Sequence, residues 1–204
     1  MKKILCYGDS NTFGFNPLNG SRYEQNERWS GILKQDLSAN FEVIEEGMNN
    51  RTGFVDNPDG IVFSSQKHFP SIINKYDKFD ILILAIGTND LQFLYDFEIE
   101  SAEEGLKTLI NIAKTNTKQI ILIPPVKLDN RILNGYFKIM FDKSSIEKSL
   151  RIGEIYKKTA EDTGCKIFDI NEFAKPSDID GLHYTPEVHK LIAQNLAEFI
   201  STIA

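Results

Sequence analysis

Ile4-Leu5-Cys6-Tyr7-Gly8-Asp9-Ser10-Asn11-Thr12-Phe13-Gly14 carries the first signal of the architecture. Its first four residues are apolar without alternation, and a strand apolar on both sides must be covered on both faces. At Gly8 the run gives way to polar residues. Four further short runs read as strands, at 41–45, 81–85, 120–123 and 166–168, and most are likewise continuous. Between them lie longer segments with helical spacing, notably 29–37, 102–116, 144–163 and 187–200. Strand and helix alternate along the chain. Parallel strands need right-handed, usually helical crossovers, so this order predicts an α/β fold, a three-layer α/β/α sandwich. The last helix has a legible start: Thr185 caps it, Pro186 suits its first turn and Glu187 complements the positive end of its dipole.

With 204 residues the chain fits a single domain, 1–204, because one core commonly closes at roughly 100–200 residues. A composition 41% hydrophobic and 25% charged supports a sizeable core and excludes the signature of a disordered chain. The formal net charge of −6 repels a polyanion, so no nucleic-acid partner is expected. The apolar stretch after Met1-Lys2-Lys3 stops at Gly8, short of the ~7–15 residues of a secretory h-region, which predicts no export signal. The longest hydrophobic run, 81–86, is far below the ~20 residues that span a bilayer, so no membrane partner is expected either. Cys6 and Cys165 sit in apolar, strand-like runs and read as free buried thiols, which predicts a cytoplasmic address.

Four short motifs follow the predicted strands. Ser10 stands just past the carboxyl edge of the first, where ligand-binding loops of open α/β sheets lie, although a serine in that place also serves as a helix cap. Asp180-Gly181-Leu182-His183 lies in a loop bounded by Pro176 and Pro186. A histidine removes a serine proton only if its other ring nitrogen is held, and a carboxylate three residues earlier can bend back to hold it; Asp-Gly is equally an ordinary turn. Gly87-Thr88-Asn89-Asp90 follows the third strand and Gly47-Met48-Asn49-Asn50-Arg51-Thr52 the second. An acyl-transfer site needs donors aimed at an oxyanion, and a glycine N–H with an asparagine amide can supply them beside the serine N–H. Each motif alone is common; their coincidence on one sheet edge is not.

In that order, Gly8-Asp9-Ser10, Gly47, Gly87-x-Asn89-Asp90 and Asp180-x-x-His183 resemble the four blocks of the SGNH (GDSL-type) hydrolase family, over nearly the whole chain. The resemblance implies a flavodoxin-like sandwich of about five parallel strands and a serine esterase that needs no metal or other cofactor. By position it makes Ser10 the nucleophile, His183 the base, Asp180 its orienter, and the Ser10 and Gly47 N–H groups with Asn89 the oxyanion hole. Asn11-Thr12-Phe13-Gly14, Arg28-Trp29, Arg51-Thr52, Pro124-Pro125 and Lys143-Ser144 look like the branch of bacterial arylesterases and acetylesterases, though Asn49-Asn50-Arg51 stands where that branch often has Asn-Gly-Arg. A small-molecule ester is the partner so implied: a short-chain acetyl or aryl ester or an O-acetylated sugar. A thioesterase or lysophospholipase of the same family, a non-catalytic flavodoxin-like module and a phosphoaspartate enzyme are the alternatives.

Asn11, Phe13 and Phe141 are the expected substrate contacts, with Phe15, Tyr136, Phe137 and Met140 as further candidates for an acyl pocket. Aromatics in the segment after the fourth strand would equally suit a homo-oligomer surface. Arg28 and Trp29 are expected to anchor the first long helix, and Asp9 to act structurally. His68 and His189 have no second ligand at metal-binding spacing, so no metal site is expected.

Overall fold

The computed structural model describes residues 1–76 and 78–203. Its strands are β1 (Lys2–Gly8), β2 (Phe41–Gly47), β3 (Phe79–Ala85), β4 (Thr117–Leu122) and β5 (Lys166–Ile167). They form one wholly parallel sheet in the order β2-β1-β3-β4-β5. The order reverses between β1 and β3, so their carboxyl ends open the crevice where such sheets bind ligands.

Among the described residues six α-helices accompany the sheet: α1 (Ser10–Phe13), α2 (Trp29–Asp36), α3 (Ser65–Lys75), α4 (Ser101–Ala113), α5 (Lys143–Thr163) and α6 (Pro186–Ile203). The continuous apolar runs of the strands are sorted by the two-residue period. Leu5, Tyr7, Leu82 and Leu84 pack with Phe69 of α3, Leu106 of α4 and Ile152 of α5. Ile4, Cys6, Ile81 and Ile83 pack with Leu33 of α2 and Leu196 of α6. The three-layer α/β/α expectation is met, and the strand order is the flavodoxin-like one.

Strand starts differ from the apolar runs for a physical reason. Lys2-Lys3, Phe79-Asp80 and Thr117–Gln119 extend three strands toward the amino edge, where pairing continues beside solvent and polar residues suffice; Lys3 N donates to Asp80 Oδ2 at 2.9 Å. Helix α3, not among the predicted helices, carries Pro70 in its interior, which breaks the helical signal in the sequence. At the start of α6, Thr185 Oγ1 accepts from Val188 N at 3.4 Å, so the expected cap is present.

Candidate active site

The turn after β1 shows which residue caps α1. Asp9 does: its Oδ1 accepts from Asn11 N at 3.0 Å, and Gly14 ends the helix in the left-handed region. Ser10 is therefore the first helical residue, 7% exposed, with its hydroxyl free for another partner. Trp29 Nε1 donates to Asn11 O at 3.0 Å, pinning this turn to the start of α2. Arg28 holds Glu45 through Nε and Nη2 at 2.7 and 2.8 Å, so the expected anchoring by Arg28 and Trp29 is what the structure displays. Burial pushes the Asp9 carboxyl up, against hydrogen bonds from Thr88 and Asn11 that draw it down.

Ser10 meets a loop from the far end of the chain. His183 Nε2 lies 2.9 Å from Ser10 Oγ, and His183 Nδ1 lies 2.6 Å from Asp180 Oδ2. The other carboxylate oxygen, Oδ1, accepts from Ser177 Oγ at 2.8 Å and from the Leu182 and His183 N–H groups at 3.0 Å each. Burial raises the Asp180 pKa, but hydrogen bonds from His183 and the charge of its ring outweigh that and hold the carboxyl below its usual range. With Nδ1–H donated to Asp180, Nε2 faces the Ser10 hydroxyl as an acceptor. The loop is closed by Ser177 N donating to His183 O at 2.7 Å and by Gly181, whose φ of 69° and whose approach to Asp129 O both exclude a side chain. Asn11 Nδ2 donates to Leu182 O at 3.3 Å, tying this loop to the serine turn.

On the other side, Arg51 crosses beneath the strand ends. Its Nη1 donates to Gly8 O at 2.9 Å and to Glu46 O, and its guanidinium lies 4.2 Å from the Tyr7 ring centre. Arg51 O accepts from Asn89 Nδ2 at 3.0 Å, and Gln92 Nε2 donates to Asn89 Oδ1 at 3.1 Å. Next to Asn89, the buried Asp90 carboxylate accepts from the Gly53, Phe54 and Val55 N–H groups at 2.7, 2.6 and 2.9 Å. Gly47 ends β2 against the serine helix so closely that a Cβ would sit 2.2 Å from Phe13 N. Ser10, His183 and Asp180 are thus joined by hydrogen bonds, while Gly47 packs on α1 at the end of β2 and Asn89 is tied to Arg51 O in the turn after β3.

The aromatic candidates divide. Phe15 and Phe137 pack on the His183 ring, with centres 4.3 and 5.2 Å away, and both are partly exposed. Phe13 is half-buried and carries the Arg22 guanidinium on its face at 4.8 Å. Phe141 is 1% exposed and packs in the core cluster with Ile152 and Tyr156 of α5, away from the packing on the His183 ring that Phe15 and Phe137 make. The segment before it forms a 3₁₀ turn, Tyr136–Ile139, which directs Phe137 to the cleft and Phe141 inward. Sequence reading singled out neither Ser177 nor Gln92; the only sequence trace of either is its spacing, three residues from Asp180 and from Asn89 respectively. Among the described residues, no three His, Cys, Asp or Glu side chains gather into a metal-binding group, and no helix is long and apolar enough to cross a membrane.

A hydroxyl, imidazole and carboxylate in line at the crevice of such a fold is an arrangement that can support acyl transfer. The family model for GDSL-like lipase/acylhydrolase matches residues 4–196, and the chain belongs to that family and is a carboxylic ester hydrolase. Among solved structures it resembles the M. smegmatis aryl esterase, with 25% identity, a TM-score of 0.92 and 100% of both chains covered. It also resembles a carbohydrate acetylesterase family member from Sinorhizobium meliloti, with 26% identity, a TM-score of 0.91 and 99% and 98% of the two chains covered. A lipase/acylhydrolase from Enterococcus faecalis, at 19% identity and a TM-score of 0.70 over 99% of this chain and 96% of that one, shares the fold. No functionally curated protein matches the chain.

Proposed function

We propose that the protein is a serine esterase that hydrolyses short-chain acyl esters, whether acetyl esters, aryl esters or O-acetylated carbohydrates, through an acyl-enzyme on Ser10. The observation that carries this reading is the buried relay from Ser10 Oγ to His183 Nε2 at 2.9 Å and from His183 Nδ1 to Asp180 Oδ2 at 2.6 Å. Ser10 Oγ attacks the ester carbonyl while His183 takes its proton. The proton is returned to the departing alkoxide, so that the alcohol leaves and the acyl group stays on Ser10. Water, deprotonated by His183, then attacks the acyl-enzyme and releases the acid. Asp180 holds the ring in the required tautomer and offsets the imidazolium charge. The Ser10 and Gly47 N–H groups and the Asn89 amide stabilise the tetrahedral oxyanion, and Asn11 and Phe13 flank the substrate. The names of the two neighbours near 25% identity support aryl and acetyl esters as the substrate class. Two free thiols support a reducing, cytoplasmic compartment, and exposed Tyr136 and Ile139 support self-association on the segment that follows β4.

A serine-reactive fluorophosphonate should label the wild type and fail to label Ser10→Ala, which should also lose most ester turnover while unfolding at an unchanged urea midpoint. A folded Ser10→Ala protein that still hydrolyses esters would remove Ser10 from the reaction. A panel varying acyl and alcohol parts independently should favour acetyl over octanoyl esters.

A further inference from the structure

An asparagine side chain can serve an oxyanion only with its nitrogen end. A half-turn about the terminal torsion exchanges donor and acceptor while leaving the shape almost unchanged, so the neighbours of the amide decide which end faces the cleft. For Asn89, 7% exposed, the fixed carbonyl of Arg51 sets the sense and the Gln92 amide is matched to it. Arg51 O can only accept, and lies 3.0 Å from Nδ2; Gln92 Nε2 can only donate, and lies 3.1 Å from Oδ1. One Nδ2 hydrogen is used on Arg51 O and the second is available to a ligand. The reversed amide would place oxygen against the Arg51 carbonyl, nitrogen against the Gln92 amide nitrogen, and a lone pair toward any developing negative charge.

Gln92 is held for this task by the local backbone. Asn89–Leu91 is a single 3₁₀ turn closed by Gln92 N donating to Asn89 O at 3.3 Å, and residues three apart eclipse in 3₁₀ geometry, which lays Gln92 over Asn89. Gln92 is 2% exposed, so its amide is held within the fold. We propose that Gln92 is a positioning residue that fixes the donor face of Asn89 toward the reacting carbonyl. The inference rests on the place of Asn89 in the proposed oxyanion hole and adds to it the group that orients it.

Three variants and a double-mutant cycle test this on the full chain, with p-nitrophenyl acetate as substrate and urea midpoints as the check on folding. Gln92→Glu keeps the shape but turns the donor into an acceptor, which favours the reversed amide. At pH 8 it should lower kcat about 10²-fold, approaching the roughly 10²–10³-fold loss expected of Asn89→Ala, with KM within about 3-fold, because the missing contact belongs to the transition state. Gln92→Met, which removes the donor without adding an acceptor, should lose about 10-fold or less. Relative to wild type, kcat of Gln92→Glu should recover as pH is lowered, since a protonated carboxyl donates again. In the Asn89→Ala background, Gln92→Glu should change kcat by less than about 3-fold. Equal losses in Gln92→Glu and Gln92→Met, or an undiminished loss in the Asn89→Ala background, would overturn the proposal. An Asn89→Ala protein with wild-type kcat would overturn the oxyanion assignment itself.

Discussion

Two buried carboxylates, Asp90 after β3 and Asp180 after β5, have surroundings that look alike until charge is considered. Asp90, in the turn after β3, accepts three backbone N–H groups; Asp180, in the loop before α6, accepts two backbone N–H groups and the Ser177 hydroxyl on one oxygen. Asp180 has in addition an imidazole at 2.6 Å. The acidities part accordingly. Burial carries Asp90 up to about 6 in spite of its three donors, whereas at Asp180 the contribution of His183 overcomes burial and lowers the pKa. At Asp90 three backbone donors do not offset burial, whereas at Asp180 the bonded imidazole does. The first carboxylate is a staple for the 53–55 backbone, and the second is fitted to respond to charge appearing on His183.

Replacing each carboxylate should therefore break a different property. Asp180→Asn retains an acceptor for the loop N–H groups but sets an NH₂ against His183 Nδ1, which favours the wrong ring tautomer. We expect kcat to fall about 10⁴-fold, on the order of 5 kcal/mol, with little change in the urea midpoint. Asp90→Ala leaves the Gly53, Phe54 and Val55 N–H groups without their acceptor and should cost about 3 kcal/mol of stability, read by urea titration, with a kcat loss far smaller than that of Asp180→Asn. If Asp90→Ala proved the more damaging to kcat in a folded protein, the division between staple and orienter would be wrong.

The same distinction governs what could be read from sequence. Ser10, Asn89, Asp180 and His183 were legible because each follows a strand whose apolar run is visible, so topology alone assigns them to one edge. Arg51 was visible as part of a motif, but its bonds to Gly8 O and Glu46 O and its packing on Tyr7 arise only when β1 and β2 are paired. Ser177 and Gln92 stayed hidden for a related reason: a hydroxyl or an amide three residues from a motif is ordinary loop chemistry until the loop closes on itself. Phe137 and Phe141 are four apart and identical in type. Their opposite fates depend on a 3₁₀ turn that interrupts any helical period. Helix α3 was masked by one proline.

Burial acts with the opposite sign on a base, as at His189, and here the expected effect is the smallest. His189 is fully buried on α6, between Tyr23 and Tyr184 at 5.4 and 5.3 Å, and its Nδ1 accepts from Trp29 N at 3.3 Å. Burial, with the charges of His183 and Arg28 adding to it, lowers its pKa to about 3. Between that value and the ~6.5 of an unfolded histidine, the unfolded chain binds a proton that the native ring refuses, so stability falls as pH falls through this window. His189→Asn keeps an acceptor near Trp29 N and removes the titration. Urea titrations at pH 7.5 and 5 should show the wild type losing about 2 kcal/mol relative to His189→Asn, at about 1.4 kcal/mol per pH unit below ~6.5. A difference that stays constant between the two pH values would mean that the native protein accepts a proton on His189, and burial without a counter-charge would then not suppress ionisation at this position.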